Sequence, residues 1–135
     1  MFWTLSPSLG NIVVQGVTLK SGFHDGGGLG FSGEAADLHF EDVVFSDNKC
    51  PAQRHYSGAA VSFRRGKVFF ERCVFEGNSS DFGGAVALTD CEMVSFVSCY
   101  FANNVATAGL DVFLDRIGQL DVLGCTFGET PSPGA

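Results

Sequence analysis

The residues best suited to chemistry in this sequence are its five cysteines. Their number is odd and no two form a Cys-x-x-Cys pair, so the spacing gives little support to a zinc site or a thioredoxin-like motif. His24 and Asp25 stand beside three glycines, but without the strand-to-helix context that a phosphate-binding loop requires. The sequence therefore predicts no catalytic residues, no bound metal and no cofactor.

The charge balance argues against a nucleic-acid partner. The net charge is −7 with only eight Lys and Arg residues, whereas binding to a phosphate backbone depends on clustered cations. The segment Met1 to Pro7 lacks a basic region and a long apolar run, so it predicts neither a signal peptide nor a membrane span. A mature form or a fragment of a longer chain could begin in the same way.

An internal repeat decides where these residues lie. A Phe-x-x-Asn motif occurs three times, and Phe127 to Thr130 is a degenerate fourth copy whose Phe keeps the 26-residue spacing of the last two. An aliphatic residue stands seven positions before each Phe, and Ile12 and Leu19 keep this interval in a weaker first coil. The motif residues are Phe45 and Asn48, Phe75 and Asn78, and Phe101 and Asn104, and the preceding aliphatic residues are Leu38, Val68, Val94 and Leu120.

Alternation by two around these positions is typical of β-strands. Another short apolar segment precedes each repeat, so each coil is predicted to carry about three short strands. These preceding segments are Leu29 to Phe31, Val61 to Phe63, Val86 to Leu88 and Val112 to Leu114.

Units of this size cannot bury their own apolar faces and gain stability by stacking, with like residues about 4.8 Å apart. We therefore predict an all-β parallel β-helix of about five coils over residues 11–130, with a lead-in at 1–10 and a flexible tail at 131–135. The Phe column, including Phe127, is expected to form the core. The Asn48, Asn78 and Asn104 column is expected to form an asparagine ladder at a bend.

Cys73, Cys99 and Cys125 share one inward column of this repeat. Residues directly above one another rarely have disulfide geometry, so we interpret these cysteines as free thiols that fill small gaps in the core. Cys91 falls in a turn and Cys50 in a loop, where either thiol could react, although a purely structural role is favoured for both.

Gly83-Gly84-Ala85-Val86 followed by Phe101 to Asn104, with weaker copies at Ser57 to Val61 and Gly26 to Leu29, resembles the GGA[ILV] and FxxN repeats of polymorphic outer membrane protein passengers. The pattern is also similar to the broader right-handed, pectate-lyase-like β-helix superfamily. This resemblance and the usual crossover rule imply a right-handed coil. The resemblance also implies an extracellular or cell-surface location. It leaves function open, because the superfamily includes adhesins, polysaccharide lyases, hydrolases and structural solenoids.

A lyase of this kind would need several calcium-binding carboxylates close to an Arg or Lys. The predicted outward columns scatter their carboxylates, and Arg64 to Lys67 reads as a solvated bend. The outward columns are His39, Phe69, Ser95 and Asp121, and Glu41, Glu71, Val97 and Leu123.

Two features could bind a partner. Between Asn48 and Ala60 the repeat holds five extra residues, and this insertion mixes cationic and aromatic side chains: Lys49, Arg54, His55 and Tyr56. Insertions in solenoids protrude and often bind, although a tolerated surface excursion is the simpler interpretation. The second feature is an outward stripe of Val44, Val74 and Tyr100, which could reflect strand propensity or form an apolar contact surface.

These observations favour a non-enzymatic structural or protein-interaction solenoid, adhesin-like or scaffold-like. Its expected partners are proteins or further β-helix coils, because neither end of the sequence reads as a convincing cap. The alternative is a fragment of a carbohydrate-active β-helix enzyme, for which carbohydrate would be the ligand.

Overall fold

The computed structural model describes residues 11–20, 36–49, 60–80, 84–106 and 111–128. These residues form an all-β structure of short parallel strands without a helix. The strands are β1 (Asn11–Gln15), β2 (Thr18–Lys20), β3 (Ala36–Glu41), β4 (Val44–Ser46), β5 (Val61–Arg64), β6 (Gly66–Glu71), β7 (Val74–Glu76), β8 (Val86–Thr89), β9 (Met93–Val97), β10 (Tyr100–Ala102), β11 (Val112–Asp115), β12 (Gln119–Leu123) and β13 (Thr126–Phe127).

The strands stack into three parallel sheets, which makes the fold a parallel β-solenoid. The first sheet has the order β1-β3-β6-β9-β12, the second β2-β4-β7-β10-β13 and the third β5-β8-β11. About three coils have a described strand in every sheet, and two earlier coils contribute strands to the first and second sheets. The predicted strand at Leu29 to Phe31, which would extend the third sheet, lies outside the described residues. The right-handed sense of the coil stays a prediction.

The register of the sheets follows the spacing of the repeat. Leu38 pairs with Val68, Val68 with Val94, and Val94 with Leu120 along the first sheet. In the second sheet the same relation joins Leu19, Phe45, Phe75, Phe101 and Phe127. The 26- and 30-residue intervals are therefore the lengths of successive coils.

Two columns of stacked phenylalanine rings fill the core. Phe75 and Phe101 have centroids 4.7 Å apart and planes 5° apart, and Phe70 stacks on Phe96 at 4.9 Å. Phe96 and Phe101 meet edge to face at 5.6 Å, so the two columns also contact each other. Fully buried rings of this kind each contribute about 1.5–3 kcal/mol through burial alone.

The last described coil departs from the predicted core. Phe127 stacks on Phe101 at 4.8 Å but is 50% exposed, and Leu120 and Val122 are each 45% exposed. A core side chain in a solenoid is covered by the coil below and the coil above, and these three residues have a described coil on one side only. Phe127 is thus aligned with the core column without being buried in it, which corrects our expectation.

Residues in the left-handed backbone region form the corners between the sheets. Asp42, Arg72 and Ser98 hold φ values of 54°, 51° and 53° at one corner, and Gly16 and Gly124 occupy the same column. The left-handed region is uncommon for residues other than glycine and turns the chain sharply. In this corner the next side chain then points into the core, as Val43, Cys73 and Cys99 show by their burial.

Candidate functional site

The asparagine column is a continuous ladder of buried hydrogen bonds. Asn48 Nδ2 donates to Asn78 Oδ1 at 3.0 Å, and Asn78 Nδ2 donates to Asn104 Oδ1 at 2.9 Å. Each accepting oxygen also receives the backbone N–H of the preceding Asn at 3.0 Å. The remaining amide hydrogens bond carbonyls one coil back, for example Phe45 O at 3.1 Å. The ladder therefore satisfies polar groups that burial would otherwise leave unpaired.

The ladder continues from Asn104 to a carboxylate. Asp111 stands in the column that Ala60 and Ala85 occupy in the preceding coils, and its Oδ1 accepts Asn104 Nδ2 at 3.0 Å. Burial raises the pKa of Asp111, and the hydrogen bond from Asn104 acts in the opposite direction. Asp111 was not among the site residues that we predicted from the sequence. The signal was available, because an Asp replaces Ala at an inward position of the repeat.

The cysteine column has a similar arrangement built on sulfur. Cys73 Sγ donates to Phe40 O at 3.3 Å, and Cys125 Sγ donates to Phe96 O at 3.3 Å. The sulfur of Cys125 also accepts the backbone N–H of Cys99 at 3.5 Å. Cys73, Cys99 and Cys125 are free, so each thiol acts as a small polar link between coils.

The exposure of the cysteines differs from our expectation at two positions. Cys91, which we placed in a turn where its thiol could react, is only 2% exposed, and burial raises its pKa to about 11. It follows Asp90, which is in the left-handed region, so the corner directs its side chain inward. Cys125, expected to be shielded, is only half-buried, because it belongs to the last described coil. Cys50 lies outside the described residues.

Ion pairs link the corners of neighbouring coils. Arg72 Nε contacts Asp42 Oδ1 at 2.7 Å, and Arg116 Nε contacts Asp90 Oδ1 at 2.6 Å. The hydrogen bond from Arg72 lowers the pKa of Asp42. These pairs are largely exposed, so screening by solvent limits their contribution to stability. They join residues 30 and 26 positions apart, and the repeat spacing was the signal that could have found them.

The predicted stripe forms one outward column of the second sheet. Val44 pairs with Val74 and Val74 with Tyr100, while Thr18 and Thr126 extend the column at its two ends. Val44 and Val74 are half-buried, and Tyr100 is 44% exposed. The structure therefore brings these three residues together on one face.

Of the predicted insertion, the structure describes only Lys49, which is exposed and forms a parallel bridge with Ser79. Arg54, His55 and Tyr56 lie outside the described residues. The part of the insertion in partner binding therefore stays a prediction.

The two outward columns considered for enzymatic chemistry carry few groups that converge. His39 stacks on Phe69 with centroids 4.6 Å apart, and Ser95 in the same column is buried. Within the described ranges, no three His, Cys, Asp or Glu side chains come close enough to hold a metal ion. No helix in that part of the chain is long and apolar enough to cross a membrane.

Comparisons with known proteins add one relative. No protein-family model matches the chain, and no solved structure matches it. The sequence is 26% identical over 131 residues to metabotropic glutamate receptor-like protein R of Dictyostelium discoideum. This alignment covers 95% of the chain and 8% of the relative, so the chain spans less than a tenth of the length of that protein.

Proposed function

We propose that this chain is a non-enzymatic structural or protein-interaction solenoid, of the adhesin or scaffold type, that binds another protein through its outward stripe. The stripe of Val44, Val74 and Tyr100 continues through Thr18 and Thr126, and these five residues form one outward column. Its uncharged character in all five coils is the observation that carries the proposal, because the protein as a whole contains 15 acidic and eight basic residues.

The geometry of the stripe suits a protein contact. Five parallel strands spaced about 4.8 Å apart give a flat column about 19 Å long. Tyr100 lies near one end of it and is 44% exposed. Tyrosine is enriched in protein interfaces, where its ring supplies contact area and its hydroxyl a hydrogen bond.

The relative supports a modular role. A segment similar to this chain lies within a much longer protein whose name describes it as receptor-like. Such a name, together with the resemblance to outer-membrane passenger repeats, leads us to propose that the solenoid works outside the cell or at its surface. Protein partners or further β-helix coils are the occupants that this role implies.

Affinity capture from the organism's own extract, followed by native mass measurement, tests the proposal. Tyr100→Lys should abolish capture of the partner found with the unaltered protein, because a desolvated Lys inside an apolar contact is unfavourable. Val105→Lys is the matched control, since Val105 is 51% exposed and lies off the stripe. Capture that survives Tyr100→Lys would remove the stripe from consideration.

A second pair of measurements addresses the remaining alternatives. Deleting five residues of the insertion would restore the 26-residue period, and it should change stability little because closure entropy varies only logarithmically with loop length. Loss of capture in this variant would assign the contact to the insertion. Turnover of polyuronate that depends on calcium would overturn the non-enzymatic proposal.

A further inference from the structure

Apolar side chains of the inward columns are exposed at the last described coil. Leu120 and Val122 of β12 are each 45% exposed, and Phe127 of β13 is 50% exposed. Their counterparts one coil earlier, Val94, Phe96 and Phe101, are at most 1% exposed. The difference shows how much surface one further coil would cover, so the last described coil exposes a cross-section of the core.

Among the described strands, the backbone of this coil is paired on one side only. Within the described ranges, β12 pairs only with β9 and β13 only with β10. Unpaired strand edges carry N–H and C=O groups that favour the addition of another strand. A parallel β coil with apolar side chains in matching register would therefore fit this surface.

The first described coil of the same chain has this pattern. Ile12 and Val14 of β1 occupy the columns of Leu120 and Val122, and Leu19 of β2 occupies the column of Phe127. In both coils the residue of the Phe column lies seven positions after the first inward aliphatic residue. Ile12, Val14 and Leu19 are only half-buried, and β1 pairs only with β3 among the described strands.

We propose that the coil of β12 and β13 docks head to tail on the coil of β1 and β2 of a second copy of this chain. Leu120 lies over Ile12, Val122 over Val14 and Phe127 over Leu19 in this arrangement. The contact repeats the geometry that already joins successive coils within one chain. It uses a different surface from the stripe, so it can fail while the proposed function stands.

Charge favours this arrangement over a symmetric contact between two identical ends. In a symmetric contact, β12 would pair antiparallel with β12 of a second copy. If this pairing were centred on Asp121, the two Asp121 carboxylates would lie opposite each other, which is unfavourable. In the head-to-tail arrangement Asp121 lies beside Val13, and β1 carries no charged residue. The contact is heterologous and does not close, so copies add one at a time.

Sedimentation velocity and native mass measurement of the full chain over a range of concentrations provide the first test. The expected result is a series of dimers, trimers and longer species that grows with concentration. The net charge of −7 opposes association between like molecules, so added salt should strengthen it. A monomer at every concentration, or a series that stops at the dimer, would overturn the proposal.

Variants at the two ends identify the surfaces. Leu120→Lys should weaken association at least about tenfold, as expected for a central apolar contact. Leu123→Lys is its control, because Leu123 is 61% exposed on the same strand but faces outward. Ile12→Lys should have the same effect at the other end, with Val13→Lys as its control, since Val13 is outward and 54% exposed. Equal association of Leu120→Lys and Leu123→Lys would contradict the assigned surface.

A mixture of the two end variants gives the sharpest result. Leu120→Lys retains an intact first coil and Ile12→Lys an intact last coil, so the mixture should form a dimer of one copy of each and nothing longer. Each variant alone should remain monomeric, and circular dichroism should show that both are folded. A mixture that stays monomeric would overturn the head-to-tail arrangement. If either variant is unfolded, the concentration series of the unaltered chain still decides the question.

Discussion

Asn104 donates its side-chain N–H to Asp111 Oδ1 at 3.0 Å, which makes a carboxylate the last described acceptor of an otherwise neutral ladder. Asp111 replaces an alanine at an inward position, so its charge is partly removed from water. Burial raises its pKa above the ordinary value of 3.8. Just above pH 3.8, the folded protein therefore retains a proton that the unfolded chain has already released.

This relation predicts a pH dependence of stability. The folded state binds the extra proton between pH 3.8 and the raised folded pKa, so stability falls as the pH rises through this window. Asp111→Asn keeps an acceptor for Asn104 but has no charge. The difference in the free energy of unfolding between the unaltered protein and Asp111→Asn, measured by urea denaturation from pH 3 to pH 7, should therefore shift in favour of the variant as the pH rises.

Asp42 does not disturb this measurement. Arg72 lowers the pKa of Asp42, so the stability that Asp42 contributes is present above its ordinary pKa of 3.8 and is lost as the pH falls. This contribution is the same in the unaltered protein and in Asp111→Asn. A difference between the two proteins that is constant over the whole pH range would contradict the assignment to Asp111.

The phenylalanine column should show a strong dependence on position. Phe101 is fully buried between Phe75 and Phe127, so Phe101→Ala should lower the free energy of unfolding by about 3–5 kcal/mol. Phe127 has a stacked ring on one side only and is 50% exposed, so Phe127→Ala should cost less than about 2 kcal/mol. Chemical denaturation of both variants checks the order. Equal losses would show that Phe127 is covered as completely as Phe101.

The sequence was sufficient for the register of the solenoid because repeat length and alternation encode it directly. Phe75 lies beside Phe101, and Val86 beside Val112, as the spacing predicts. The corners could not be predicted in the same way, because Arg72 and Ser98 adopt a left-handed conformation that their residue types do not favour. The effect on our predictions was largest for Cys91, because the corner at Asp90 directs its side chain into the core.

Thiol reactivity should follow burial rather than the turn or strand that carries each cysteine. Cys73, Cys91 and Cys99 are at most 2% exposed, so a thiol reagent has little access to them in the folded protein. Burial also raises the pKa of Cys91 to about 11, so little reactive thiolate forms at that residue near pH 8. Among the four described cysteines, Cys125 should react first with a thiol reagent, as mass spectrometry of the labelled peptides can show. Rapid labelling of Cys99 in the folded protein would mean that its column does not face the core.

Substitutions at two glycines should distinguish the cost of a steric clash between coils from the cost of a left-handed backbone conformation. A Cβ on Gly118 would lie 2.6 Å from Glu92 O, and that oxygen already accepts the N–H of Gln119 at 3.0 Å. Gly118→Ala must therefore push two coils apart, at a cost of about 2–3 kcal/mol. Gly16 has a φ of +63°, and no atom lies within 4 Å of the point that a Cβ would occupy there, so Gly16→Ala should cost only the left-handed conformation, about 1 kcal/mol. Thermal and urea unfolding should rank the variants in this order, and a Gly118→Ala protein as stable as the unaltered chain would show that these coils are not in contact there.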